Sequence, residues 1–180
     1  MSRPIVWLTG PPGSGKTTAG RLAAAALHLS FHSAGEIFRA EAKRLGQSLP
    51  EFSRYAERHP EVDKALDEGL IARARPGAIL EGRVVGALLR RRGVPVYAIQ
   101  ITAREDVRAR RVAGRDGTDP AAALAEMRTR SASERGRYRK YYNIDLAVEP
   151  VDAVIDSSDL PPAEVAGRLA ELLKAGGVPG

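Results

Sequence analysis

The sequence predicts an α/β fold: a five-stranded parallel sheet with helices on both faces. Three observations predict it. Short apolar runs without polar alternation recur at residues 5–8, 78–80, 94–101 and 153–155, as expected of strands buried on both faces. Helix-forming segments separate these runs, and strands that alternate with helices fold into a parallel, doubly covered sheet. A glycine-rich loop, residues 10–17, leaves the first run and enters the first helix, at the carboxyl end of a strand where α/β sheets place their ligands.

Taken in order, Ile5-Val6-Trp7-Leu8 is the first strand and residues 16–27, rich in Ala and Leu, the first helix. Residues 30–32 form a short second strand. Ser33 and Glu36 have capping-box spacing, which starts a helix at Ala34 that runs to about Leu45 and stops at Gly46. Residues 49–59 and 61–74 give two more helices, separated at His59-Pro60, and Pro76-Gly77 closes this helical stretch. The strand at 78–80 leads through Glu81-Gly82-Arg83 into a helix over 84–92, and 94–101 is the next strand. A helix over 104–115 ends at Asp116-Gly117, and Asp119-Pro120 caps a long helix to about Tyr142. The last strand, 153–155, precedes a helix over 163–174 with Val165, Leu169, Leu172 and Leu173 on one face, and residues 175–180 read as a loose tail. No repeat or linker interrupts the chain, so residues 1–180 read as one domain.

The composition bounds what this domain does. With 43% apolar and 28% charged residues it is neither disordered nor a membrane protein. The absence of cysteine removes thiol catalysis and thiolate metal sites and suits a reducing, cytoplasmic setting. No signal sequence precedes the first strand. The net charge of +6 comes from 23 arginines against five lysines, which points to anionic partners because the arginine fork binds phosphate oxygens in pairs. At 5% aromatic residues there are few platforms for stacking bases and no basic tail, so a stable nucleic-acid partner is not expected. The three histidines have no metal-ligand spacing, and Trp7, Tyr141 and Tyr142 read as packing residues.

Gly10-Pro11-Pro12-Gly13-Ser14-Gly15-Lys16-Thr17 matches G-x-x-x-x-G-K-[ST] in full, with a strand before it and a helix behind. Its glycines let backbone N–H groups curl around phosphate oxygens, and the helix adds its positive end. Residues 10–17 together with Thr18 are the candidate ATP-binding set, Lys16 the candidate catalytic cation, and the Thr17 hydroxyl the candidate Mg²⁺ ligand. No Asn-Lys-x-Asp sequence is present, and no Asp-x-x-Gly follows an apolar strand, which disfavours a GTPase switch.

Beyond this loop, the chain carries Ser33-Ala34-Gly35-Glu36-Ile37-Phe38-Arg39, Tyr55-Ala56-Glu57 to Asp67-Glu68, Leu80-Glu81-Gly82-Arg83, and Ser133-Glu134-Arg135-Gly136-Arg137-Tyr138. In these segments it resembles the nucleoside monophosphate kinases, and within them the short cytidylate kinases common in archaea. The resemblance implies a P-loop kinase domain with a helical monophosphate-binding segment at about 34–76 and a short lid at about 108–120. It implies transfer of the γ-phosphoryl group of Mg·ATP to CMP or dCMP by a monomeric enzyme.

A second anion site needs further cations, because one lysine cannot hold two phosphate groups together. Arg39 falls just beyond the Ser33 cap and Arg83 just past a strand end, and the resemblance implies that both grip the acceptor phosphate. Ser33, Gly35 and Gly82 complete that neighbourhood. Arg104, Arg108, Arg111 and Arg115 are spaced along one helix stripe, where an anion facing them would relieve their repulsion; Arg111 and Arg115 are the favoured lid residues. Arg130, Glu134 and Arg137 share another helix face, similar to the arginine, acid, arginine pattern by which cytidylate kinases hold the monophosphate, with Glu in place of the Asp of the longer type. Other acceptors, such as AMP, UMP or a small hydroxyl compound, fit the same spacing, as does a nucleotide-dependent, RNA-associated protein without catalysis.

Overall fold

Five parallel strands, β1 (Ile5–Thr9), β2 (Ser30–Ser33), β3 (Ala78–Glu81), β4 (Val96–Thr102) and β5 (Ala153–Asp156), lie in the order β2-β3-β1-β4-β5. The structure is a computed structural model and describes residues 4–178. Eight helices connect the strands among the described residues: α1 (Lys16–Ala26), α2 (Ala34–Arg44), α3 (Leu49–Arg58), α4 (Pro60–Ile71), α5 (Val85–Arg91), α6 (Glu105–Asp116), α7 (Pro120–Tyr142) and α8 (Pro162–Ala175).

The central strand explains why its sequence is apolar without alternation. Val6 and Leu8 point into a core layer with Ala19 and Ala23 of α1 and Leu169 and Leu173 of α8. Ile5 and Trp7 point the other way, against Leu70, Val85, Leu89 and Tyr138. A strand covered on both sides must satisfy two cores at once. Gly86 lets α5 close onto the sheet, since a Cβ there would stand 2.0 Å from the Trp7 ring. The indole N–H of Trp7 donates to the Gly82 carbonyl at 2.8 Å, so this packing residue also fixes the loop after β3.

α2, α3 and α4 form a helical insert with its own small core of Phe38, Ala42, Phe52 and Ala56. Ser33 caps α2 by accepting from the Glu36 N–H at 3.2 Å, as the sequence predicts. Glu36 does not reach back, because its carboxylate forks onto Arg21 of α1. The reciprocal capping box forms instead at Ser48 and Glu51, ahead of α3. α7 is pinned to the insert by Tyr141, whose hydroxyl donates to the carbonyls of Ala56 and Glu57, and by Tyr142, whose hydroxyl donates to Asp67.

Two expectations need correction. The helix placed at residues 61–74 begins at Pro60 and ends at Ile71, because proline fits the first helical position, where no N–H donor is needed. Nor is the stretch after 174 loose throughout: Val178 is fully buried in the core and its N–H donates to the Leu173 carbonyl. Residues 179–180, the rest of that expected tail, lie outside the described residues.

Candidate active site

The glycine loop leaves β1 in a conformation only glycine holds easily. Gly10, Gly13 and Gly15 have φ of 140°, 79° and 85°. A Cβ at Gly10 would lie 2.0 Å from the Ile101 carbonyl oxygen, and one at Gly13 would lie 2.7 Å from that of Arg108. The loop is thus threaded tightly between β4 and α6, with its backbone directed toward the space above the sheet. Lys16, at the start of α1, is buried and donates from Nζ to the Pro11 carbonyl at 2.8 Å. Burial lowers its pKa from 10.5 to about 8, a fall that Glu81 opposes and Arg83 reinforces. Thr17 is half-buried beside it, and Thr18 is exposed.

β3 delivers Glu81 to the same place. Its Oε2 accepts from the Thr17 hydroxyl at 3.2 Å and also from the Ser33 hydroxyl. A hard dication held mainly by phosphate oxygens and water fits this arrangement, which presents one hydroxyl and one carboxylate. No cluster of three or more His, Cys or acidic side chains is available to bind a metal by itself among the described residues. Glu81, which sequence spacing left without a role, therefore organises both the loop threonine and the cap of α2.

Two cavities open on either side of the loop. One runs past Gly10, Pro12, Lys16, Gly35, Gly82 and Arg83 toward Phe38, Asp63, Leu66, Arg130, Glu134 and Tyr138. The other is lined by residues 13–18 with Arg111, Ser157, Leu160 and Val165. Gly13, Lys16, Thr17, Arg39 and Arg115 line both. Arg39 lies over Gly35, where a Cβ would stand 3.3 Å from its Nη1. Its pKa is lowered by burial and by the like charges of Arg115 and Arg130, so three cations face one another across this junction.

Arg83 donates to the Gly10 carbonyl at 2.7 Å and faces Glu134 at 3.3 Å, with Arg130 on the other carboxylate oxygen at 2.9 Å. The Arg83–Glu134 contact is too poorly aligned for a hydrogen bond, which leaves Arg83 Nε and Glu134 Oε2 buried without a hydrogen-bond partner. Burial would raise the Glu134 pKa, but Arg130 and Arg83 outweigh it and hold the carboxyl below its ordinary value. The shared helix face expected for Arg130, Glu134 and Arg137 is present. Arg137 turns away from Glu134, however, to pair with Asp63 at 2.7 Å, both side chains being only 4% exposed.

The stripe on α6 is not the open anion-facing row that its spacing suggests. Arg104 caps the helix from outside and forks onto exposed Asp159. Arg108 donates to the Ala103 and Pro12 carbonyls, Arg111 to the hydroxyl and carbonyl of Ser157, and Arg115 to its neighbour Asp116. Spacing placed these residues on one face but could not show that the loop after β5 faces it. Arg111 and Arg115 still line the cavity beside the glycine loop.

Sequence spacing missed Asp63, Ser157 and Phe38. Ser157 bridges the site by donating to the Ser14 carbonyl at 2.8 Å, a contact between opposite ends of the chain that no local pattern announces. Asp63 did leave a trace: with Asp67 it borders the Val62, Leu66, Leu70 stripe of α4, an odd place for two acids.

Comparison with known proteins places the chain among kinases by sequence. A family described as AAA domain matches residues 9–145. The cytidylate kinase of Methanocaldococcus jannaschii is 41% identical over 86% of this chain and 88% of its own length. That of Archaeoglobus fulgidus is 35% identical over 94% and 93%, and that of Pyrobaculum islandicum 38% over 87% and 85%. Among solved structures, a shikimate kinase from Acinetobacter baumannii in complex with shikimate superposes with a TM-score of 0.60 at 18% identity, covering 96% of this chain and 94% of that one. A putative kinase from Chloroflexus aurantiacus gives 0.59 at 19% identity over 98% and 99%. The structural likeness establishes a shared fold, and the sequence relatives establish more: this chain belongs to the cytidylate kinase family.

Proposed function

We propose that the protein transfers the γ-phosphoryl group of ATP to a phosphate oxygen of CMP or dCMP, giving ADP and CDP or dCDP. The observation that carries this reading is the pair of cavities sharing Lys16, Thr17, Arg39 and Arg115 as a common wall. A triphosphate on the loop side and a monophosphate on the Arg83 side would meet at that wall, in line, with cations around the oxygens of the group in transit.

In this reading the loop amides and Lys16 hold the donor phosphates, while Arg39 and Arg83 hold the acceptor phosphate. Thr17, with Glu81 behind it, would hold Mg²⁺, which would supply charge neutralisation on the donor. The chain's own work is positioning and electrostatics, and no covalent intermediate is required. Residues 34–76 act as the acceptor-binding segment. Residues 108–120 act as the lid, with Arg111 and Arg115 leaving Ser157 and Asp116 to reach the transferred group and exclude water. No helix among the described residues is long and apolar enough to cross a membrane, and we expect a monomer acting in the cytoplasm.

A panel of monophosphates with Mg·ATP, followed by ADP release, tests the reading. CMP and dCMP are expected to stimulate release most. Tight ATP binding without stimulation by any monophosphate, or AMP outperforming CMP, would overturn it.

A further inference from the structure

Four carbonyls of the glycine loop are each held by a different side chain. Gly10 accepts from Arg83 at 2.7 Å, Pro11 from Lys16 at 2.8 Å, Pro12 from Arg108 at 3.2 Å and Ser14 from Ser157 at 2.8 Å. Across a trans peptide the carbonyl of one residue and the N–H of the next point in opposite directions, so a carbonyl pulled outward aims the following N–H inward. Gly10 and Pro11 are each followed by a proline, which has no N–H to aim. Pro12 and Ser14 are followed by Gly13 and Gly15, whose N–H groups make no hydrogen bond among the described residues. The Ser14 N–H between them turns back to the Pro11 carbonyl at 3.4 Å. Of the four side chains, only Arg108 and Ser157 therefore aim a free loop amide.

We infer that Arg108 and Ser157 are positioning residues that hold the Gly13 and Gly15 N–H groups toward the donor's phosphate oxygens. This rests on the reading that the loop holds ATP, and adds to it two residues outside the loop that set its phosphate-facing shape. Both are built as fixed supports. Arg108 pairs with no carboxylate among the described residues; its guanidinium goes to two main-chain carbonyls, Pro12 and, at 3.0 Å, Ala103. The loop packs against the same residue, since a Cβ at Gly13 would lie 2.9 Å from the Arg108 Cβ. Ser157 is 1% exposed. Its N–H donates to the Thr102 carbonyl at 2.8 Å, and its hydroxyl lies between that carbonyl and the one of Ser14. Thr102 ends β4 and Ala103 follows it, beside the strand that leads into the loop, so both supports stand on the sheet. Amides fixed in this way need little reorganisation when a phosphate arrives.

The test follows the backbone amide NMR signals of isotope-labelled protein as Mg·ADP is added, with Kd from calorimetry, in the wild type, Arg108→Met and Ser157→Ala. Both glycine signals are expected to move in the wild type. In Arg108→Met the Gly13 response is expected to be lost while Gly15 keeps its own, and in Ser157→Ala the reverse. Ser157 also accepts from Arg111, so its variant is read at Gly15 and not by turnover. Arg108→Met is expected to weaken Mg·ADP binding about 10- to 100-fold, the loss of one hydrogen bond to a charged group, with KM for CMP within about threefold. Arg108→Lys can still donate to the Pro12 carbonyl and is expected to recover the Gly13 response and most of the affinity. Equal loss at both glycines in either variant would mean general distortion of the loop and overturn the inference, as would wild-type responses and affinity in Arg108→Met. Should one variant fail to fold, the other decides by the same criterion at its own glycine. A wild type whose loop signals ignore Mg·ADP would overturn the donor-site reading, and the inference with it.

Discussion

Replacing Lys16 with Met should make the ligand-free protein more stable while abolishing its chemistry. The buried ammonium has a pKa of about 8 instead of 10.5 because burial disfavours its charge. That fall corresponds to about 3 kcal/mol against folding at neutral pH. The sign follows from proton counting. Between pH 8 and 10.5 the unfolded chain holds more protons than the folded one, so stability rises with pH across that window and the full penalty is present below it. Methionine removes the charge and keeps much of the side-chain volume, but it loses the hydrogen bond to the Pro11 carbonyl, a loss of about 1 kcal/mol. The net gain of about 2 kcal/mol should raise the ligand-free Tm at pH 7 by about 4–8 °C, read by differential scanning fluorimetry. The difference should shrink as pH approaches 10.5. ATP should then stabilise the wild type by mass action and Lys16→Met far less, and turnover should fall by at least about a hundredfold. An unchanged or lower Tm at pH 7, or retained turnover, would refute the claim that the fold holds an uncompensated cation ready for phosphate.

Asp67 makes the opposite pH statement: burial raises its pKa from 3.8 to about 7. The folded state therefore holds more protons between pH 4 and 7, and stability falls with rising pH through that window. Asp67→Asn is expected to stabilise the protein by a few kcal/mol, on the order of 2–4, at pH 8, with the gap closing toward pH 4 in urea titrations; a gap independent of pH would contradict this. Gly10→Ala is expected to cost more than about 3 kcal/mol, since its Cβ would overlap the Ile101 carbonyl and its φ is 140°, so urea melts should show a clearly lower midpoint. Arg115→Ala is expected to reduce kcat about 10- to 1000-fold with a smaller change in KM for CMP; a raised KM with kcat unchanged would mean instead that it binds substrate and transition state equally. Glu81→Gln is expected to raise the Mg²⁺ concentration needed for half-maximal rate by about tenfold, measured by magnesium titration at fixed ATP.

The sheet and the phosphate loop were legible because their signals are local. Trp7 and Lys16 sit in contiguous residues whose types alone demand a buried strand and a phosphate cradle. The second half of the site was legible only in part. Arg39 and Arg83 could be placed near strand ends, but whether an arginine on α6 meets solvent, a carboxylate or a ligand depends on which loop folds against it. Arg104 found Asp159 and Arg111 found Ser157, from a segment more than 40 residues away. The Asp63–Arg137 pair is the same case: each helix face was readable, but not their meeting.

The carboxylates also explain how so many cations share one cleft before any ligand arrives. The acceptor-side cavity is lined by Lys16, Arg39, Arg83, Arg115, Arg130 and Arg137 against Asp63, Glu81 and Glu134. Left alone, six cations would repel one another and expand the site. Each acid occupies a different point: Glu81 beneath Thr17, Glu134 between Arg83 and Arg130, and Asp63 on Arg137. They offset the repulsion without cancelling it, so the cleft keeps a positive excess that phosphates relieve on binding. Arg83 carries this balance in one side chain: its Nη1 is anchored to Gly10, while its Nε faces Glu134 in poor alignment. A guanidinium fixed at Nη1 and held against Glu134 at Nε is already oriented, with Nη2 left for an incoming oxyanion, and little reorganisation is left for the moment of reaction.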